Sequence, residues 1–248
     1  MTPTRWDVRV LVRALTVSAL ALGLAWVATA ATDEGGVSWG ERAGRTLPLT
    51  PVCAAIGVWV ALAPARARGE VAALGTLGRS RGQIAAAAVA GGTLVAWAAA
   101  AAIGMPRTVD VTAFFPRASQ TSTWVWQQGT FVDRLQGLLV GADGAPVGLT
   151  PEAWGSSGSI PRFGRAAAAM AVATAGLAVP MIVAHALLAE SEGTRRLAAV
   201  AMLASAAAGL ASIILFQAAA AGHVSSLLAG VPPIVLLAFA VQRYHGSP

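Results

Sequence analysis

The chain has 248 residues, of which 56% are hydrophobic and 11% charged, and its mean hydropathy is +0.66. Soluble domains carry about 25% charged residues, so this composition excludes an ordinary soluble protein and points to a membrane one. The net charge is +6 and every basic side chain other than histidine is arginine, but many arginines flank apolar runs instead of forming a patch with interleaved aromatics, which argues against nucleic acid as a partner.

Six segments are long enough to cross a hydrocarbon core, which needs about 20 apolar residues. They run from Val8 to Ala31, Thr46 to Ala65, Gln83 to Met105, Ala166 to Ala189, Leu197 to Gln217 and Val224 to Gln242. The first, with its arginines and Ala28-Thr29-Ala30, imitates a secretory signal. Its apolar stretch exceeds the roughly 7 to 15 residues of such a signal, so it is read as a span that is retained. Arg5, Arg9 and Arg13 precede or begin it, Arg66, Arg68, Arg79 and Arg81 separate the second and third segments, and Arg195 and Arg196 follow the fourth. The positive-inside rule then puts both termini in the cytoplasm, with Arg42 and Arg45 as outer exceptions. Cys53, the single cysteine, lies in an apolar run and supports neither a disulfide framework nor a metal site.

Between the second and third segments lies the most informative stretch, Arg66 to Arg81. Arg68 to Leu77 is predicted as a short cytoplasmic helix, with Glu70 near its positive end and Val71, Leu74 and Gly78 recurring along one face. Gly78 ends it, and Arg79 and Arg81 anchor its exit at the bilayer surface. The bland alternative is a solvated loop in which Arg66 and Glu70 pair across one turn, worth a few tenths of a kcal/mol.

Residues 106–165 form the one sizeable region outside the membrane. Thr108 to Phe115, Thr123 to Gln127 and Phe131 to Val140 are rich in β-branched and aromatic residues, and Asp143-Gly144 supplies a turn before Ala145 to Leu149. A small antiparallel β element is expected, followed by the tether Gly155 to Ser159. The chain thus divides into 1–105 with three spans and the short cytoplasmic helix, 106–165 as a β-rich outer insert, and 166–248 with three more spans: a mainly α, polytopic fold.

The spans carry no Asp, Glu or Lys between their ends, and Arg13 and His185 lie near inner ends. Ion-driven carriers need intramembrane ionisable groups, which argues against an autonomous transporter. No H-E-x-x-H motif supports a zinc protease. Gly155-Ser156-Ser157-Gly158 with His223 imitates a serine protease of the rhomboid kind, but a nucleophile in a Gly/Ser tether lacks a shaped pocket. No catalytic residue, cofactor or metal is expected, and energy is left to a partner.

Pro48 through Leu62, then Arg68-Gly69-Glu70-Val71-Ala72-Ala73-Leu74-Gly75-Thr76-Leu77-Gly78-Arg79-Ser80, resembles the second span and coupling helix of the LptF/LptG family of lipopolysaccharide export permeases. Gly222 to Pro233 is similar to that family's entry into its last span. The order of three spans, an outer β region and three spans completes the likeness, although residues 106–165 are far shorter than the family's β-jelly-roll. The resemblance implies a subunit of the bacterial inner membrane that is not itself an enzyme. Its implied partners are a cytoplasmic ABC ATPase, a second LptF/LptG-like permease, a membrane lipid and periplasmic bridge proteins. It also implies that Glu70, Val71, Leu74, Leu77, Gly78 and Ser80 form the ATPase-coupling site. MacB/FtsX-type permeases carry a similar Glu, Gly and Ser spacing, and a subunit that transmits ATPase motion to an outer partner is the alternative. Their outer domain follows the first span of four, an order this chain does not share.

Overall fold

The computed structural model describes residues 4–32, 37–115, 124–127, 130–133, 138–144, 146–149, 161, 163–189 and 192–246. Its helices are α1 (Arg5–Thr32), α2 (Trp39–Thr46), α3 (Thr50–Ala67), α4 (Glu70–Thr76), α5 (Arg81–Gly104), α6 (Gly164–Leu187), α7 (Glu192–Ala220) and α8 (Val231–Gly246). The tether from Gly155 to Ser159 lies outside the described residues.

Local chemistry sets most of the boundaries. Ser38 caps α2 by accepting from Glu41 N at 3.2 Å, and Arg45 pairs with Glu41 one turn back at 2.6 Å. A 3-10 turn over Leu47–Leu49 joins α2 to α3, so that Trp39–Ala67 runs as one span-length apolar unit. Pro51 opens α3, where a missing N–H costs nothing. Another 3-10 turn, Ser226–Gly230, leads into α8, whose first turn holds Pro232 and Pro233.

Among the described residues five units, not the six expected, are long and apolar enough to cross a membrane: α1, Trp39–Ala67, α5, α6 and α7 from Arg195. The sixth apolar segment forms a shorter helical unit, Ser226–Gln242. This is the build of a polytopic helical membrane protein.

The core is made by close backbone approach. A Cβ added at Gly92 in α5 would stand 2.8 Å from Ala54 O in α3, and one added at Gly57 would stand 2.5 Å from Ala14 O in α1. Gly91 likewise lies against Leu11 O of α1. Small residues bring α1, α3 and α5 together, which suits a bilayer where van der Waals packing replaces the hydrophobic drive. Two apolar clusters result. One, nearer α4, contains Val58, Leu62, Ile84 and Ile182, and the other contains Ile103, Val111, Phe114 and Phe216.

Four short strands form an antiparallel meander: β1 (Trp124–Gln127), β2 (Thr130–Asp133), β3 (Leu138–Gly141) and β4 (Pro146–Leu149). Trp126 faces Phe131 across the first pair, with ring centroids 4.6 Å apart. The expected stretch from Phe131 to Val140 is two strands, not one. Thr108 to Phe115 is no strand at all. Asp110 accepts from Thr112 N at 2.9 Å and starts a 3-10 turn over Val111–Phe114, which places Phe114 and Phe115 edge-on against Phe216 of α7 at 5.6 and 5.2 Å.

Candidate functional site: the short helix between α3 and α5

Helix α4 begins two residues later than the sequence suggests. Gly69, at φ +75°, turns the chain out of α3 in the left-handed region, which glycine enters without cost. Only then does Glu70 start the new helix, and its carboxylate stands in the first turn. The other end closes as a Schellman motif: Gly78 N–H donates to Gly75 O at 2.9 Å and Arg79 N–H to Leu74 O at 3.1 Å, with Gly78 at φ +81°. Ser80 then caps α5. Its hydroxyl accepts from Gln83 N at 3.3 Å while Gln83 Oε1 accepts from Ser80 N at 3.0 Å, a reciprocal capping box. Gly78 and Ser80 therefore have complete structural roles, ending one helix and starting the next.

The predicted face separates on folding. Val71 is buried in the bundle's own core, Leu74 is half-buried against the same cluster, and Leu77 is 79% exposed. Leu77, the residue that closes α4, is the large apolar side chain that this segment offers outward.

Glu70 is engaged within the chain. Its Oε1 accepts from Arg68 Nε at 2.7 Å, and its Oε2 accepts from Trp6 Nε1 at 2.9 Å and from an Arg9 guanidinium nitrogen at 3.4 Å. The Arg68 hydrogen bond, followed by the one from Trp6, holds its carboxyl below the usual glutamate range. Arg66 does not pair with it. Its guanidinium donates instead to Leu187 O and Ala189 O at the end of α6, satisfying carbonyls that a helix terminus leaves free.

A second tie lies one turn beyond α4. Arg79 donates to Asp7 Oδ1 at 2.7 Å and to Gln83 O at 3.3 Å, and its guanidinium carbon lies 5.7 Å from the centre of the Trp6 ring. Thr4 fixes Asp7 from the other side through its backbone N–H at 2.9 Å and its hydroxyl at 2.7 Å. Trp6, Asp7 and Arg9 at the amino end of α1 thus grip both ends of the α4 segment. Sequence reasoning treats Arg9 as a topology signal and passes over Trp6 and Asp7, because partners more than sixty residues apart leave no local spacing.

Among the described residues, no three His, Cys, Asp or Glu side chains group as metal ligands would. His223 is exposed in the turn after α7, and Ser157 lies outside the described residues.

Models of protein families, curated proteins and solved structures give no match to this chain. The resemblance to lipopolysaccharide exporters therefore rests on residues 48–80, residues 222–233 and the order of elements.

Proposed function

We propose that the chain is a six-span permease subunit which pairs with a second permease of its kind and with a cytoplasmic ABC ATPase to extract an amphipathic lipid from the bacterial inner membrane. The observation that carries this reading is α4: a separate seven-residue helix set between two span-length helices, projecting Leu77 and braced by charged side chains to the end of α1. A loop that merely joined two spans would need neither the brace nor the exposed leucine.

In this mechanism Leu77 and the outer edge of Leu74 enter an apolar groove on the ATPase. Glu70 acts chiefly by holding α4 rigidly to α1, so that motion of the ATPase reaches the membrane helices as one body. The apolar interior then suits acyl chains, since an unpaired ion facing them would carry a penalty of several kcal/mol. Residues 106–165 would face the periplasm, where bridge proteins would receive the lipid.

Coexpression with the candidate ATPase tests this. Leu77→Asp should abolish copurification of the ATPase at an unchanged level of inserted permease, because it places a charge where an apolar groove must close. Retention of the ATPase and of lipid export in that variant would remove the coupling role of α4. ATPase binding with motion passed to an outer-envelope enzyme, and no lipid moved, would instead favour the MacB/FtsX-like alternative.

A further inference from the structure

Pro180 stands inside α6 and brings no N–H to it, so the carbonyl four residues back, Gly176 O, loses its intrahelical donor. The neighbouring helix supplies another. Thr93 Oγ1 of α5 donates to Gly176 O at 3.3 Å, from a side chain that is itself buried. Borrowing a hydroxyl in this way is how a membrane span tolerates an interior proline. Gly176 lets α5 come this near, because a Cβ at that position would collide with the Cβ of Ala96, three residues after Thr93. Close by, Trp97 Nε1 donates to Ala173 O at 3.3 Å, and the Thr174 hydroxyl donates back to Met170 O at 2.7 Å, a bond that tends to bend a helix. Features that weaken or bend α6 are thus gathered between residues 174 and 180.

On either side of that stretch α6 belongs to different cores. Ala167, Ala171 and Val172 pack in the cluster of Ile103 and Phe216, whereas Ala178, Ile182 and Ala184 pack in the cluster of Val58 and Leu62. Each end is also tied separately. Arg165 donates to Ile103 O at 2.8 Å, Met105 O at 3.0 Å and Val109 O at 2.9 Å, at the end of α5 and just beyond it. Arg66, at the end of α3 beside α4, holds Leu187 O and Ala189 O at the other end of α6.

We infer that α6 is hinged between Gly176 and Pro180 and that the Thr93 hydroxyl is the latch of this hinge. While the latch is closed, Gly176 O is satisfied and the two halves of α6 keep one angle. The tie is weak, since 3.3 Å exceeds the usual distance of about 2.7 to 2.8 Å for a hydroxyl bond. On release the Thr93 hydroxyl has another acceptor in Val89 O, one turn back on α5, so a single carbonyl is left without a donor. The half from Ala178 to Leu187 then swings with the end of α3, and the half from Gly164 to Thr174 stays with the end of α5. A bend of about 20° acting over the roughly 15 Å between Gly176 and Ala186 carries the Ala186 end by about 5 Å. The hinge itself needs neither an ATPase nor a cargo. In the proposed permease, the swinging half is the one tied to the junction of α3 and α4.

Distances between spin labels on the full chain in nanodiscs, with Cys53→Ala removing the native thiol, test the latch. Ala98→Cys with Ala186→Cys spans the hinge, and Val27→Cys with Ala166→Cys lies to one side of it. Thr93→Val should spread the first distance by about 5 Å and leave the second as in the parent. Thr93→Ser, which keeps the hydroxyl, should restore the parent distribution. In a Pro180→Ala background the backbone N–H at position 180 again reaches Gly176 O, so Thr93→Val should change neither distance. This separates a latch from a packing role, which Pro180→Ala would not relieve. Should Thr93→Val fail to fold, Pro180→Ala alone decides, by narrowing the first distribution relative to the parent. An unchanged first distance in Thr93→Val, the same spread in the Pro180→Ala background, an equal spread in both pairs, or no narrowing in Pro180→Ala would overturn the hinge. No ATPase or cargo is present in these measurements, so their failure leaves the coupling role of α4 to its own test.

Discussion

Helices α1 and α7 look alike in the sequence and are attached in opposite ways. They have 28 and 29 residues, their most apolar windows have hydropathies of 2.0 and 2.2, and only 17% of each window is buried, against 56% for α5 and for α6. Yet α1 is held by backbone approach, with Gly57 and Gly91 of its neighbours against Ala14 O and Leu11 O, and by the Trp6, Asp7 and Arg9 contacts at its end. On α7, Gly209 has nothing within 4 Å of an added Cβ, and the helix meets the bundle through side chains, with Phe216 at one end and a groove along its middle. Equal burial therefore conceals unequal attachment: glycine contacts fix two helix axes at a set distance, whereas side-chain contacts permit adjustment. If the proposed permease opens laterally, α7 is the helix placed to move, while α1 stays with α4.

The largest expected effect comes from breaking the glycine contact. Gly91→Val should cost more than the roughly 1 to 3 kcal/mol of ordinary overpacking, because the new branch meets backbone that cannot rotate away. Unfolding in micelles would show this as loss of the cooperative transition. Gly209→Ala on α7 should instead stabilise by about 0.5 to 1 kcal/mol, the helix-propensity gain alone. Equal losses at both positions would erase the distinction between the two helices.

Next comes the anchor of α7. Phe216 is buried and touches both Phe114 and Phe115, so Phe216→Ala should cost about 3 kcal/mol. Hydrogen exchange should rise along the second half of α7 and stay unchanged in α1. Faster exchange in α1 would mean that the bundle loosens as one unit.

The smallest effect concerns the brace at α4, which is partly exposed to solvent. A carboxylate whose folded pKa is depressed stabilises the fold above its unfolded value, about 4.3, and this is lost as pH falls through the lower folded value. Amide protection of Glu70–Thr76 should therefore be level from neutral pH to about 5 and decline only below about 4. Glu70→Gln should flatten that decline, and high salt should weaken the brace in the parent chain. A decline that persists in Glu70→Gln would assign it to other carboxylates.

The Glu70 segment also shows how far residue spacing carries. A helix ending at Gly78 was legible because a glycine after the last apolar residue is a local stop signal, whereas Ser80's role as the cap of α5 was missed although it is equally local. The direction of its face was not: Val71 turns into the core and Leu77 out of it because α3 and α5 lie on one side, a fact that no window of ten residues contains. The outer region divides similarly. β-Branched and aromatic content and the Asp143-Gly144 turn identified a small β element, while Thr108 to Phe115 follows its own Asp110 cap and the pull of Phe216, a residue a hundred positions away.

By itself the sequence determined the class, the approximate limits of the apolar segments and the place of the short helix, while the last of the six apolar segments forms a unit shorter than a span. Hydropathy, arginine position and capping residues act over one or two turns. Only the tertiary structure decided which helices touch through backbone, what Glu70 holds and where a groove remains. Those depend on surfaces brought together from distant parts of the chain, where a single missing Cβ sets the distance between two helices.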